Sequence, residues 1–154
     1  MKLNLGCGDI RLPGFVNVDF RKTLATDVVC DIRELDKYFE SADVIECYHT
    51  IEHLPHYNIV DVLKGWRKVL KGRMVIECPD FEKGCEKYLA SKNRKELIPW
   101  FFGKQNHDGN YHYSGWDFHT LKDVLEQAGF KDIQQKPAKD HHAKQFPCLR
   151  IECS

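Results

Sequence analysis

A short apolar stretch that runs into glycines is the first place in this chain where a ligand could be held. Leu3-Asn4-Leu5-Gly6-Cys7-Gly8 reads as a strand ending in a turn, and a turn without Cβ atoms lets backbone come close to a bound molecule. Asp19 closes the next strand-like run. A carboxylate there can accept two hydrogen bonds from ribose hydroxyls, and in open α/β sheets ligands sit beyond the carboxyl ends of the strands. These are the parts of a nucleoside pocket. A dinucleotide fingerprint would need a third glycine opening a long helix. Arg11 stands at that position and Pro13-Gly14 follows at once, so nothing would hold a pyrophosphate.

Three histidine-bearing stretches offer other chemistry. His49-Thr50-Ile51-Glu52-His53 matches H-x-x-E-H, a zinc-hydrolase pattern that requires both histidines on one helical face and a third ligand beyond. His49 ends a strand and Pro55 follows His53 closely, so the match is read as accidental, no metal is expected, and Glu52 and His53 are expected to pair and brace the turn. Residues 99–119 hold Trp100, Phe101, Phe102, Tyr111, Tyr113, Trp116 and Phe118, together with His107, His112 and His119. A long loop so rich in aromatics is either a lid or acceptor wall, or a satellite core over the sheet edge. Lys136–Phe146 is a small basic loop, expected to be a solvated connection, and His141-His142 is not read as a metal site.

Strands alternate with helices, which argues for an α/β sheet. The strands are Lys2–Leu5, Phe15–Asp19, Asp27–Cys30, Ala42–Tyr48, Arg73–Cys78, Lys131–Gln135 and Cys148–Cys153. In the last of these Leu149, Ile151 and Cys153 alternate with charged residues, so one face is expected to be solvated. A helix over Asn58–Leu70 has Ile59, Val62, Leu63, Trp66 and Val69 at helical spacing, and Gly72 is expected as its C′ glycine. A second opens with Thr120 as N-cap and Asp123 three residues on and ends at Gly129. A third, weaker helix spans Phe81–Leu97, with Phe81, Cys85, Tyr88 and Leu89 as its inner stripe.

The composition narrows the partners. The chain has 154 residues, 42% hydrophobic and 30% charged, which reads as one globular domain over residues 1–154. Lys plus Arg and Asp plus Glu both number 23, which removes the electrostatic case for nucleic-acid binding. No apolar run approaches the ~20 residues of a membrane helix, and no leader is evident at the start. Seven cysteines without a CxxC pair fit reduced, partly buried thiols in a cytoplasmic protein.

Taken in order, Leu3-Asn4-Leu5-Gly6-Cys7-Gly8, Pro13-Gly14-Phe15-Val16-Asn17-Val18-Asp19, Cys30-Asp31-Ile32, Tyr48-His49-Thr50-Ile51-Glu52-His53-Leu54 and Glu126-Gln127-Ala128-Gly129-Phe130 resemble the class I S-adenosylmethionine-dependent methyltransferases. They look most like a small subgroup described as predicted methyltransferases. The resemblance covers nearly the whole chain. It implies a single Rossmann-like α/β domain with a mostly parallel seven-stranded sheet, an antiparallel last strand and a shortened first crossover. S-adenosylmethionine is the implied cofactor and a small-molecule or sugar-like compound the implied acceptor. Leu5, Gly6, Cys7 and Gly8 would form the cofactor turn, Asp19 would hold the ribose and Phe20 would lie beside the adenine. Asp31 and Ile32 would flank the adenine, with Tyr48 and His49 under the sulfonium end. His49 and His112 are the candidate bases, and Tyr113 and Trp116 the candidate acceptor contacts. Two departures, Asn4 for the family's usual acidic residue and Ile10 for its third glycine, keep open a non-catalytic nucleoside binder. A zinc-dependent hydrolase using His49, Glu52 and His53 is the remaining alternative.

Overall fold

The computed structural model describes residues 1–154. Seven strands form one sheet: β1 (Lys2–Leu5), β2 (Val16–Asp19), β3 (Val28–Val29), β4 (Ala42–Tyr48), β5 (Leu70–Pro79), β6 (Gln134–Lys136) and β7 (Cys148–Cys153). The helices are α1 (Ile59–Val69), α2 (Phe81–Ala90), α3 (Ile98–Phe102) and α4 (Phe118–Gln127), joined by several 3-10 turns. The strand order is β3-β2-β1-β4-β5-β7-β6. β1 to β5 run parallel, and β7 is antiparallel to both β5 and β6. This is the sheet expected from the sequence.

Alternation along the strands sorts the residues into two unlike faces. Leu3, Leu5, Val18, Ile45, Met74, Ile76, Leu149 and Ile151 share one core with Leu35 and with α1 and α4. In α1, Ile59, Val62, Leu63, Trp66 and Val69 are buried, each worth roughly 1.5–3 kcal/mol by transfer from water. Trp66 also donates its indole N–H to the Ile32 carbonyl at 2.7 Å, so its polar atom is satisfied. The β1–β2 and β2–β3 links contain no helix. The first crossover is a loop, in keeping with the expected loss of its helix.

The opposite face is polar and bonded to itself. The Asn4 amide donates to Asn17 Oδ1 at 2.9 Å, and the Tyr48 hydroxyl donates to Glu46 at 2.9 Å. Arg150 pairs with Glu77 at 3.1 Å and with Glu152 at 2.8 Å. The backbone N–H groups of Lys139 and Asp140 donate to the Glu77 carboxylate at 3.0 and 2.7 Å. Glu77 is 0% and Arg150 4% exposed. The face of β7 expected to be solvated is instead covered. Its charges tolerate burial because each is paired and hydrogen-bonded.

Helix ends differ from the sequence reading for local reasons. α4 is capped by Asp117, whose carboxylate accepts the Thr120 N–H while the Thr120 hydroxyl accepts the Asp117 N–H. Thr120 is thus the third residue of the capping box and not its cap. α2 stops at Ala90, where the Ser91 hydroxyl accepts the Asn93 N–H at 3.0 Å, a local bond that competes with helix. Of its expected stripe, Phe81 and Leu89 are exposed. Gly72 lies inside β5, because α1 passes straight into that strand through extended Leu70. A Cβ on Gly72 would meet the Asp43 carbonyl. All seven cysteines are free, and only Cys85 and Cys148 are not fully buried. No helix is long and apolar enough to cross a membrane.

Candidate functional site

A cavity of about 490 Å³ opens at the carboxyl ends of β1, β2 and β4, where the strand order reverses between β1 and β4. That is the switch point at which doubly wound sheets bind ligands, and the volume lies within the usual range of small-molecule sites. Its wall includes Gly6, Gly8, Asp19, Asp31, Ile32 and His49, all named by the sequence reading. Phe20 and Tyr113 border it as well.

The glycine turn is tied to β2 by the N–H groups of Gly6 and Cys7, which both donate to the Val18 carbonyl. Gly6 and Gly8 have positive φ, +68° and +54°. A Cβ on Gly6 would run into the Thr50 side chain, whereas one on Gly8 would meet only the end of Arg21 at 3.8 Å. Gly6 is thus required by packing between β1 and the turn after β4. Gly6→Val should lower the unfolding midpoint itself. A variant that melts like the unsubstituted chain but has lost ligand affinity would overturn that reading.

Asp19 is 4% exposed. Its Oδ2 accepts the Gly8 N–H at 2.7 Å and its Oδ1 the Arg21 N–H at 2.9 Å. A carboxylate has about four acceptor positions, so roughly two remain for a ligand. Asp31 caps the 3-10 turn Ile32–Lys37 and takes three bonds from the Arg33 guanidinium. Those bonds, against the effect of burial, lower its pKa. The Phe20 ring is 56% exposed and packs against Gly109, where a Cβ would sit 2.5 Å from it. The loop carrying His107, Gly109 and Asn110 thereby reaches the cavity.

Three of the residues expected at the cofactor do not line this cavity. Leu5 is 0% exposed in the core. Cys7 directs its thiol toward Thr26. Tyr48, one pleat out of phase with His49, faces the polar side of the sheet. Cys7 and Tyr48 border a second, 290 Å³ cavity with Asn4 and Asp140.

His49 has φ +47°, a left-handed conformation that costs a non-glycine residue roughly 1–2 kcal/mol. Its N–H donates to the Glu77 carbonyl at 2.7 Å. Nδ1 lies 3.5 Å from Glu52 and Nε2 3.3 Å from Asp140. Burial disfavours its charge, but Cys148 and Glu52 outweigh burial and raise its pKa. A protonated imidazole has no lone pair with which to accept a proton. The other candidate base, His112, does not border the cavity. It stands edge-on to His53, ring centroids 4.8 Å apart, and burial lowers its pKa.

Glu52 does not pair with His53. It approaches His49, while His53 Nδ1 lies 2.9 Å from the Tyr111 carbonyl. His49 belongs to β4's end and His53 to the 3-10 turn Ile51–His53, so the two share no helical face. The aromatic segment divides. Tyr113 borders the cavity, but Trp116 is 1% exposed within the core. Trp116 pairs with Asp80 in a short parallel bridge and stacks on His56 at 5.5 Å. The expected acceptor contact at Trp116 is thus corrected to a core residue. Trp100 stacks on Phe146 at 4.8 Å. Thr50, Arg33, His107 and Asn110 also border the cavity. Thr50 lies in the stretch singled out after β4 and His107 in the aromatic segment, whereas Arg33 and Asn110 carry no sequence signal of their own.

No family model and no curated protein matches the sequence. Solved structures do. A SAM-dependent methyltransferase from Archaeoglobus fulgidus is 17% identical, with a TM-score of 0.65 over 98% of this chain and 84% of that one. A SAM-dependent methyltransferase from Thermotoga maritima is 15% identical, with a TM-score of 0.64 over 99% and 80%. The 1,6-didemethyltoxoflavin-N1-methyltransferase of Burkholderia thailandensis, solved with its substrate and S-adenosylhomocysteine, is 16% identical, with a TM-score of 0.62 over 98% and 68%. Several further matches are to longer proteins, of which this chain spans less than half.

Proposed function

We propose that this chain, which has the fold of the S-adenosylmethionine-dependent methyltransferases, binds S-adenosylmethionine in the 490 Å³ cavity and transfers its methyl group to a small acceptor. The observation that carries the reading is Asp19: a buried carboxylate at the end of β2, oriented by the Gly8 and Arg21 N–H groups, with acceptor capacity to spare. It suits the hydroxyls of a ribose. Asp31 and Ile32, at the end of the neighbouring strand, suit the adenine. Gly8, where a Cβ would meet only the end of Arg21 at 3.8 Å, suits close approach by the amino-acid part.

When bound, the cofactor supplies a methyl group already activated by its sulfonium. The chain's part is therefore mainly alignment, which can account for much of a rate enhancement by itself. Tyr113, 60% exposed on the wall, and the loop of His107 and Asn110 are positioned to hold the acceptor. With 23 positive and 23 negative side chains, the chain lacks the excess charge that draws in a nucleic-acid backbone. This favours a small acceptor.

Calorimetry with S-adenosylhomocysteine tests the cofactor, and transfer of an isotopically labelled methyl group to hydroxylated or amine-bearing small molecules tests the reaction. One site per chain and labelled product are expected. Absence of binding would remove the proposal. Binding without transfer to any acceptor would leave the nucleoside-binding alternative that Asn4 raises.

A further inference from the structure

We propose that Glu52, His53 and His112 form a site for one divalent transition-metal ion, zinc foremost, beside the cavity. The carboxylate is the first reason. Glu52 is 2% exposed, and neither oxygen has a hydrogen-bond partner. Buried charges are normally paired and hydrogen-bonded or bound to a metal. The nearest side-chain nitrogen, His49 Nδ1, stands 3.5 Å away, beyond good hydrogen-bond geometry.

The imidazoles are the second reason. His53 Nδ1 lies 2.9 Å from the Tyr111 carbonyl. A carbonyl can only accept, so Nδ1 is the donor, and Nε2 is the ring nitrogen left for a metal. Metal-binding histidines are commonly oriented by such a bond. His112 stands edge-on to His53, with ring centroids 4.8 Å apart. One ligand atom from each of the three residues lies within 4.8 Å of the others. Bonds of ~2.0–2.2 Å to zinc would draw them together by about an ångström.

The backbone already joins the two segments. The Glu52 carbonyl accepts the N–H groups of Tyr113 and Ser114 at 2.8 and 3.2 Å, which places His112 opposite Glu52 and His53. One carboxylate and two imidazoles suit zinc or a neighbouring first-row ion and leave a coordination position open. His53 and Tyr113 border the cavity. On the methyl-transfer reading, an acceptor hydroxyl completes the coordination shell there. The ion itself does not depend on that reading.

A second group, His49, Asp140 and His142, is equally close together. Its carboxylate is already engaged, accepting the His142 N–H at 2.9 Å with His142 Nδ1 at 2.5 Å. It lacks the unpartnered acceptor that singles out Glu52.

The test uses the full chain stripped by a chelator, titrated with Zn²⁺ by calorimetry and with Co²⁺ by its visible absorption. One ion per chain is expected. His53→Ala, His112→Ala and Glu52→Gln should each weaken binding at least roughly tenfold, while His142→Ala leaves it unchanged. Circular dichroism on each variant separates lost ligands from lost fold, and the two histidine variants suffice if Glu52→Gln does not fold. No saturable binding by the unsubstituted chain overturns the site, as does binding that survives His112→Ala and is lost in His142→Ala. S-adenosylhomocysteine affinity of the metal-free protein, measured separately, shows whether the cofactor reading stands when the metal site does not.

Discussion

Trp116→Ala should destabilise the chain by about 3–5 kcal/mol, the cost of removing a large buried aromatic, while S-adenosylhomocysteine affinity stays within about 1 kcal/mol of its original value. The indole is 1% exposed in the core, stacks on His56 and does not border the cavity. Its Nε1 has no hydrogen-bond partner, and an unsatisfied buried donor costs about 1–3 kcal/mol. Trp116→Phe removes that donor and keeps most of the ring, so it should recover much of the loss. Denaturant unfolding and calorimetry on both variants check this. A Trp116→Ala chain of unchanged stability that no longer turns over its acceptor would return the residue to the acceptor site.

Asp19→Ala should weaken S-adenosylhomocysteine binding by roughly ten- to a hundredfold, because a hydrogen bond to a charged group contributes about 1.5–3 kcal/mol. The structure adds a complication. The same carboxylate accepts the Gly8 and Arg21 N–H groups, so its removal also loosens the glycine turn. Comparing S-adenosylhomocysteine with its 2′-deoxy analogue separates the two effects. The unsubstituted chain should prefer the ribose form, and Asp19→Ala should lose the preference along with the affinity. Asp19→Asn, which keeps one acceptor oxygen, should fall between. If the preference survives in Asp19→Ala, the hydroxyls are held by another group.

Much of the cavity wall of this molecule is legible in the sequence. The glycines after Leu5, the carboxylate after Val18 and the Asp31-Ile32 pair are local signals. Each marks the carboxyl end of a short apolar strand, and the parallel sheet brings those ends to one edge. The apolar periodicity of α1 likewise specified its buried face, since Ile59, Val62, Leu63, Trp66 and Val69 can share a core only as a helix. The direction of Leu5 and Tyr48 away from the cavity follows from the two-residue period of a strand, which the family resemblance alone does not respect.

What the sequence could not decide lies in long-range pairing. Arg150 and Glu77, far apart in sequence, form a buried pair because β5 and β7 are antiparallel neighbours. Alternating charge read locally as a solvated face. Trp116 and Tyr113, only a few residues apart, separate into core and cavity because the Asp80 bridge turns one inward. Glu52 and His53 looked like a pair bracing their own turn. Tertiary structure instead leaves Glu52 3.5 Å from His49 without a hydrogen bond, gives His53 to the Tyr111 carbonyl, and places His112 beside them. Strand and helix periods are written in neighbouring residues. Which buried charge meets which partner is settled only when packing removes water and leaves each group with the neighbours the topology supplies.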